Sequence, residues 1–387
     1  MTKLLKISED SKIKKAFGFG KAIFQKARDV QAFLDINTDN LLLAENNLFI
    51  YNQFILSKKD DIVSEYCDMT KRTFNLSGLF DFNNGLANAT NQDIFSIIFT
   101  DMKLSGNEEY SKYEQNLENL FYQESTITTI LNLDKSKILQ EIKKLLGVTN
   151  SSQIKNIITT QKEKKFRQFI YTEFPPKKIL QLLPLFSTRD DKKIKAEVSE
   201  LATVPTIYEY VVAIAWFYIS KEEFFITESL NLTLDGNMRP LSHATGGMGD
   251  IVINYKNLTL MLEVTLMNSQ AQKRGEWEPV LRHATNLTVD EYPKNVITLF
   301  IADELDDNTV NIWRAVASVK LKASNKNEFA DLVKIFPLEN KELIDMLQNN
   351  STEEKLLKAI DESYSKFAGS FDLGWRDAIL DHANRGK

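Results

Sequence analysis

A mostly helical front half followed by a mixed α/β domain is the architecture that the 387-residue sequence predicts. Two observations carry it. All eight prolines lie at Pro175 or beyond, so the first 174 residues lack the residue that most strongly interrupts helices. From about residue 196 short strand-like apolar runs alternate with helix-period segments.

In the front half, Ser125 to Leu131 and Lys135 to Leu146 read as two apolar-periodic helices around the Asn132-Leu133-Asp134 turn. The spacing suits a helix-turn-helix and equally any helical hairpin. Pro175-Pro176 followed by Lys177 and Lys178 marks a junction, and Pro184 to Lys195 leads into the second domain. Pro205 opens a helix running to about Ser220, with proline in the first turn where its missing N–H does no harm. Strand-like runs follow at Asp250–Tyr255, Leu258–Leu266 and Val296–Ala302. Helix-like runs stand at Pro279–Leu287, Glu328–Lys334, Lys341–Leu347 and Glu353–Phe367. The expected organisation is a helical domain over 1–134, a basic helical or linker region over 135–195, and an α/β domain over 196–387.

Composition excludes several classes. With 43% hydrophobic and 26% charged residues the chain is not disordered as a whole. No apolar run approaches the roughly 20 residues that span a bilayer. The single cysteine, Cys67, cannot form an internal disulfide, and the start of the chain is not signal-like, so a cytoplasmic location is expected. The net charge of −5 hides an uneven distribution. Lys and Arg against Asp and Glu number 14 and 19 in residues 1–134, 15 and 5 in 135–195, and 19 and 29 in 196–387. The middle block of +10 is either the solvated face of ordinary helices or a surface for a polyanion, in which Lys162, Lys164, Lys165 and Arg167 are the candidate contacts.

The chemistry concentrates around residues 250–266. A tight turn at Lys256-Asn257, with Asn able to take positive φ, pairs positions whose numbers sum to 513. Asp250 then lies opposite Glu263, while Ile251, Ile253, Tyr255, Leu258, Leu260 and Leu262 form a wholly apolar opposite face that fixes the register. Opposed like charges destabilise a sheet, so something must compensate them. The choices are a hard divalent cation with oxygen ligands, Mg²⁺ or Mn²⁺, a neighbouring Lys or Arg, or one acid kept protonated. Glu209 is the only charged residue in Ile207–Ile219, with Val212, Ala213 and Trp216 on its own face. It is either a third member of the cluster or a helix-start acid favoured by the macrodipole. Glu276 and Glu278, flanking Trp277, are further candidates.

Three glycines in Gly246-Gly247-Met248-Gly249 permit close approach of backbone to a ligand before Asp250. There is no Lys-Ser/Thr ending as in a P-loop, no Gly-x-Ser-x-Gly elbow and no dinucleotide fingerprint. His243 and His283 match no zinc spacing and read as structural or DNA-contacting residues. A carboxylate cluster suited to metal-assisted hydrolysis remains.

Asp250, twelve intervening residues and then Glu263-Val264-Thr265 resembles the half-motif of PD-(D/E)XK nucleases, with threonine in place of the lysine. More of the chain is similar to the AlwI family of type IIS restriction and nicking endonucleases. The matching blocks are Val204–Tyr210 with Ala215–Ser220, His243-Ala244 before Gly249-Asp250, Glu263–Leu266, and Glu276 through Pro279-Val280 to Arg282-His283. The resemblance covers about residues 180–340.

It implies a restriction-endonuclease core, a mixed central sheet flanked by helices, behind the helical N-terminal region. It also implies that Glu209, Asp250, Glu263 and Glu276 form the catalytic cluster with Thr265 beside them. Asp250, Glu263 and Glu209 would be the metal ligands, with Mg²⁺ as cofactor and Mn²⁺ as a substitute. The implied activity is Mg²⁺-dependent hydrolysis of double-stranded DNA, one strand per site, within a restriction-modification system. His243, Arg282 and His283 are expected at the DNA. A second nuclease subunit or a homodimer would be needed for double-strand cleavage. The competing reading is a non-catalytic DNA-binding or accessory subunit on a nuclease scaffold.

Overall fold

The computed structural model describes residues 133–243 and 249–384 continuously, together with 80–83, 86–100 and scattered positions between 31 and 74. The expected helix Ser125–Leu131 and the glycines Gly246 and Gly247 lie outside the described residues. The chain forms two compact units, Met1–Phe82 and Asn83–Lys387. In the first, the described positions between Met69 and Phe74 are helical.

Not all of the front half is helical, because Phe80–Asn83 (β1) and Leu86–Ala89 (β2) are strands. Helices follow at Gln92–Phe99 (α1), Lys135–Leu146 (α2), Ser152–Glu173 (α3), Pro176–Thr188 (α4) and Asp191–Glu197 (α5). Their ends are written in the sequence. Asp134 caps α2 by accepting from the Lys137 N–H at 3.0 Å, and Gly147 ends it at φ 67°. Pro176 starts α4 in the first turn, where its fixed φ suits the helix.

Val204–Ile219 (α6) is the central helix. Thr203 caps it, Pro205 sits in its first turn, and thirteen of its sixteen residues are buried. After Ile226–Ser229 (α7), a ribbon of Leu232–Leu234 (β3) and Pro240–His243 (β4) leads to Ile251–Asn254 (β5) and Leu258–Thr265 (β6). Then come Ser269–Gly275 (α8), Trp277–Asp290 (α9), Asn295–Ala302 (β7) and Asp307–Val316 (α10). A two-residue pair, Leu321–Lys322 (β8) and Phe329–Ala330 (β9), precedes Ile335–Glu339 (β10). Asn340–Gln348 (α11), Glu353–Ser365 (α12) and Trp375–Asn384 (α13) close the chain.

The main sheet has the order β10-β7-β6-β5, parallel between β10, β7 and β6 and antiparallel between β6 and β5. It is the mixed sheet flanked by helices that the family resemblance implies. Pro337 is tolerated in β10 because that strand lies at the edge. The outward carbonyls of β10 are taken by side chains, Ile335 O by the Tyr364 hydroxyl and Pro337 O by Arg376 Nε at 3.0 Å.

Both sheet faces are covered. On one, Ile251, Ile253, Leu260, Leu262, Leu299 and Ile301 pack with α4, α6, α11 and α12 in a single core. On the other, Met261, Phe300 and Ala302 pack with Val280 and Ala284 of α9 and Trp313 of α10.

Two expectations are corrected. Glu328–Lys334 forms no helix: Phe329 and Ala330 pair with Lys322 and Leu321, and Ala330 and Val333 are buried beside α9. Seven residues are too few for a helical period to be distinguished from a short buried hairpin arm. The boundary at 195/196 follows charge, whereas the core runs through it, since Phe166, Ile170, Ile179, Leu182 and Phe186 share one apolar cluster with α6 and β6. The basic region is helical, and its buried side belongs to the same compact unit as the sheet.

Candidate active site

The β5–β6 ladder pairs Ile251 with Leu262, Val252 with Met261, Ile253 with Leu260 and Asn254 with Thr259, each pair summing to 513. One step further, Asp250 stands against Glu263. Asp250 Oδ2 accepts the Val264 N–H at 2.8 Å, and the Asp250 carbonyl accepts the Asn231 N–H at 3.0 Å. The residue before it is a glycine that leaves room for Met261. A Cβ on Gly249 would fall 2.4 Å from Met261 Sδ and 2.5 Å from its Cγ, a contact no packed core tolerates without displacing Met261.

Glu263 projects from β6 on the face that α9 covers, together with Met261 and Thr265, and is 7% exposed. His283, on α9, places Nδ1 2.9 Å from Glu263 Oε1. Arg282, the neighbouring residue, pairs its Nε with Glu278 at 3.0 Å and adds a positive field at Glu263. Thr265, where the motif lysine is absent, donates its hydroxyl to Glu276 Oε1 at 3.0 Å and accepts the Met267 N–H at 3.1 Å. Glu276 lies at the joint between α8 and α9. Glu209 comes from α6, is 7% exposed, and its Oε2 is buried with no hydrogen-bond partner.

The four acids share one electrostatic environment. Burial, followed by the charge of Glu263, pushes the Glu209 carboxyl up to about 7. Burial, then Glu263 and Glu209, raise Asp250 well above the ordinary carboxylate range, against the Val264 hydrogen bond that lowers it. Burial also raises Glu263 despite His283 and Arg282, and raises Glu276 despite Thr265. Groups that interact in this way take up protons as a set.

Among the described residues, no Lys or Arg forms an ion pair with any of the four; Glu263 is met by His283 and feels Arg282 only through its field. The donor set is hard carboxylate oxygen, the chemistry that divalent Mg²⁺ prefers, and Glu209 Oε2 is an orphaned acceptor within it. Among the described residues, no three His, Cys, Asp or Glu side chains are grouped as a complete metal cage. The expected three-carboxylate set of Asp250, Glu263 and Glu209 is therefore not closed around one point. One or two carboxylates with water are the usual Mg²⁺ arrangement, and the Asp250–Glu263 pair fits that.

Of the remaining expected residues, His243 ends β4. Lys162, Lys164 and Lys165 are exposed on α3, whereas Arg167 faces inward. Its Nε meets Glu163 Oε1 at 2.7 Å and its Nη2 donates to the Phe224 carbonyl at 2.7 Å. Two positioning roles are not evident from the sequence. Asn231 binds the backbones of Asp250 and Gly249, and nothing in its neighbourhood marks it. His283, read from sequence as structural or DNA-contacting, meets Glu263, and its position one helical turn beyond Pro279 on the apolar-periodic run is the signal that places it toward the sheet.

In comparisons with known proteins, the model of the AlwI restriction endonuclease family matches residues 12–346. No curated protein matches. Among solved structures, the small subunit (R.BspD6I2) of the heterodimeric restriction endonuclease R.BspD6I is similar over 53% of this chain and 97% of its own. The identity is 16% and the TM-score 0.36, too loose a superposition to transfer any property. The family match spans both the paired acids of the ribbon and the helices before them, and on it the chain belongs to the AlwI restriction endonuclease family.

Proposed function

We propose that this chain is a Mg²⁺-dependent DNA endonuclease of restriction type that hydrolyses phosphodiester bonds in double-stranded DNA, nicking one strand per active site. The observation that carries the reading is the largely buried set of Glu209, Asp250, Glu263 and Glu276, raised in proton affinity and lacking a Lys or Arg partner. A structural cluster of that kind is costly, and metal-dependent phosphate chemistry is the use that justifies it.

In this reading Asp250 and Glu263 would hold Mg²⁺, or Mn²⁺ in its place, and Glu209 would reach the ion through water. When bound there, such an ion would supply Lewis-acid polarisation of the scissile phosphate and a water of lowered pKa. Val264 fixes one oxygen of Asp250, and His283 fixes one oxygen of Glu263. Thr265 has no positive charge to offer, and instead orients Glu276 toward the cluster, where its carboxylate can take a proton from the attacking water.

One cluster makes one site, so a single chain nicks, and double-strand cleavage requires a second nuclease subunit or a homodimer. The test is nicking of supercoiled plasmid in Mg²⁺ and in Mn²⁺. Divalent-dependent conversion to open circle by the wild type, lost in Asp250→Ala and Glu263→Gln, is the expected result. DNA binding with no nicking by the wild type in either ion would instead make the chain an accessory subunit.

A further inference from the structure

The acidic half of the molecule cannot hold a polyanion by itself, which directs attention to where the positive charge is free. Outside the basic region, lysines are often neutralised: Lys221 pairs with Glu354, Lys273 with Asp306, Lys334 with Asp361 and Lys341 with Glu339; within it Lys178 pairs with Glu197, while Lys143, Lys144, Lys177, Lys192, Lys193 and Lys195 form no ion pair among the described residues. On α3, Lys155, Lys162, Lys164 and Lys165 are exposed, and none forms an ion pair among the described residues. Lys162 and Lys165 are neighbours one turn apart, and Lys155 lies two turns before Lys162. From Lys155 to Lys165 is about 15 Å of helix, roughly four nucleotide steps along one strand of a duplex.

The other side of the same helix is fastened near the acids. Glu163, 4% exposed, accepts from Ile226 N at 3.2 Å, Thr227 N at 3.0 Å, Thr227 Oγ1 at 2.8 Å and Arg167 Nε at 2.7 Å. Arg167 reaches on to the Phe224 carbonyl, with its guanidinium 5.4 Å from the Phe217 ring. The segment thus gripped runs through α7 into Leu230, which bridges Ile251, and Asn231, which binds the Asp250 carbonyl. The helix with the free lysines is therefore one short helix away from the backbone of Asp250.

The geometry points to the exposed side of α3 as the surface that holds the DNA phosphate backbone, with Lys155, Lys162, Lys164 and Lys165 as contacts and Glu163–Arg167 as the buckle fixing it to the acidic site. Arg167 is thereby removed from the contacts expected from sequence. This deepens the proposed function by naming where its substrate is gripped, and rests on that reading. The contacts are to phosphate, so the surface confers affinity and no sequence choice.

The test separates binding from chemistry. Fluorescence anisotropy of two unrelated short duplexes, without divalent ion and over a range of KCl, is compared for the wild type and the combined Lys155→Ala, Lys162→Ala, Lys164→Ala, Lys165→Ala variant. Exposed Lys→Ala changes on a helix leave the fold intact. Affinity is expected to fall equally for both duplexes, and the log–log salt slope to flatten by roughly 0.9 for each phosphate that is no longer neutralised. A Lys320→Ala, Lys341→Ala control keeps the wild-type slope. An unchanged slope in the α3 variant, or weakening for one duplex alone, overturns the proposal. Plasmid nicking by the wild type reads the nuclease activity independently, so a chain that binds through α3 without cutting refutes only the chemistry.

Discussion

Glu163 and Glu209 are two buried glutamates on two neighbouring core helices, 4% and 7% exposed, and they live in opposite surroundings. Glu163 receives two backbone N–H groups, a hydroxyl and a guanidinium. Glu209 has an oxygen that receives nothing and a neighbouring carboxylate that repels it. Burial alone therefore does not mark a functional acid. What distinguishes the two is whether the protein has completed the carboxylate itself or left it for something else to complete.

The largest effect that sharpens this contrast is catalytic. Asp250→Ala and Glu263→Gln should bring nicking down to background while leaving circular dichroism and duplex binding at wild-type levels. Near-wild-type cleavage by either variant in Mg²⁺ would break the assignment of the incomplete acids to chemistry.

Next in size is stability. Glu163→Ala strands Arg167 and three donors, and should cost about 3–5 kcal/mol in urea unfolding. Glu209→Gln should do the reverse in the metal-free protein. Its folded pKa of about 7 lies above the unfolded value, so the native state binds the extra proton and is not penalised at low pH. The penalty grows as pH rises from about 4.5 to 7 and is complete above that. At pH 8 the Gln variant should then gain on the order of 1–3 kcal/mol, and at pH 4 nearly nothing. Equal effects at both pH values would show that the Glu209 carboxyl is not strained by burial and Glu263.

The smallest effect concerns the missing lysine. Thr265→Ser keeps the hydroxyl that holds Glu276 and should nick like the wild type, whereas Thr265→Val should slow the rate about tenfold at unchanged duplex affinity. A Val variant as fast as the Ser variant would leave Glu276 without need of positioning.

Much of the site was legible because a β-ribbon is arithmetic. An Asn-containing turn and an unbroken apolar face fix the pairing sum of 513, and the opposition of Asp250 and Glu263 follows. The lone charge in α6 singled out Glu209 in the same way. What was not legible depends on partners distant in sequence. Arg167 and Lys165 look alike in a basic run, and only the arrival of Glu163, Phe224 and Phe217 around one of them turns it inward. The same holds for Asn231, whose role exists because two strands happen to end beside it. The boundary expected at 195/196 was drawn from charge, a surface property, whereas compact units are set by buried apolar packing across it.

The β10 edge of the main sheet bears on how this chain meets other proteins. In β10 a proline removes one amide hydrogen, while a tyrosine and an arginine occupy two outward carbonyls, so little free ladder faces outward. A strand so blunted cannot seed continuous pairing with another chain. At this edge, assembly with a second subunit would then have to be written in side chains rather than backbone, and would be open to tuning by surface substitutions without redesign of the strand.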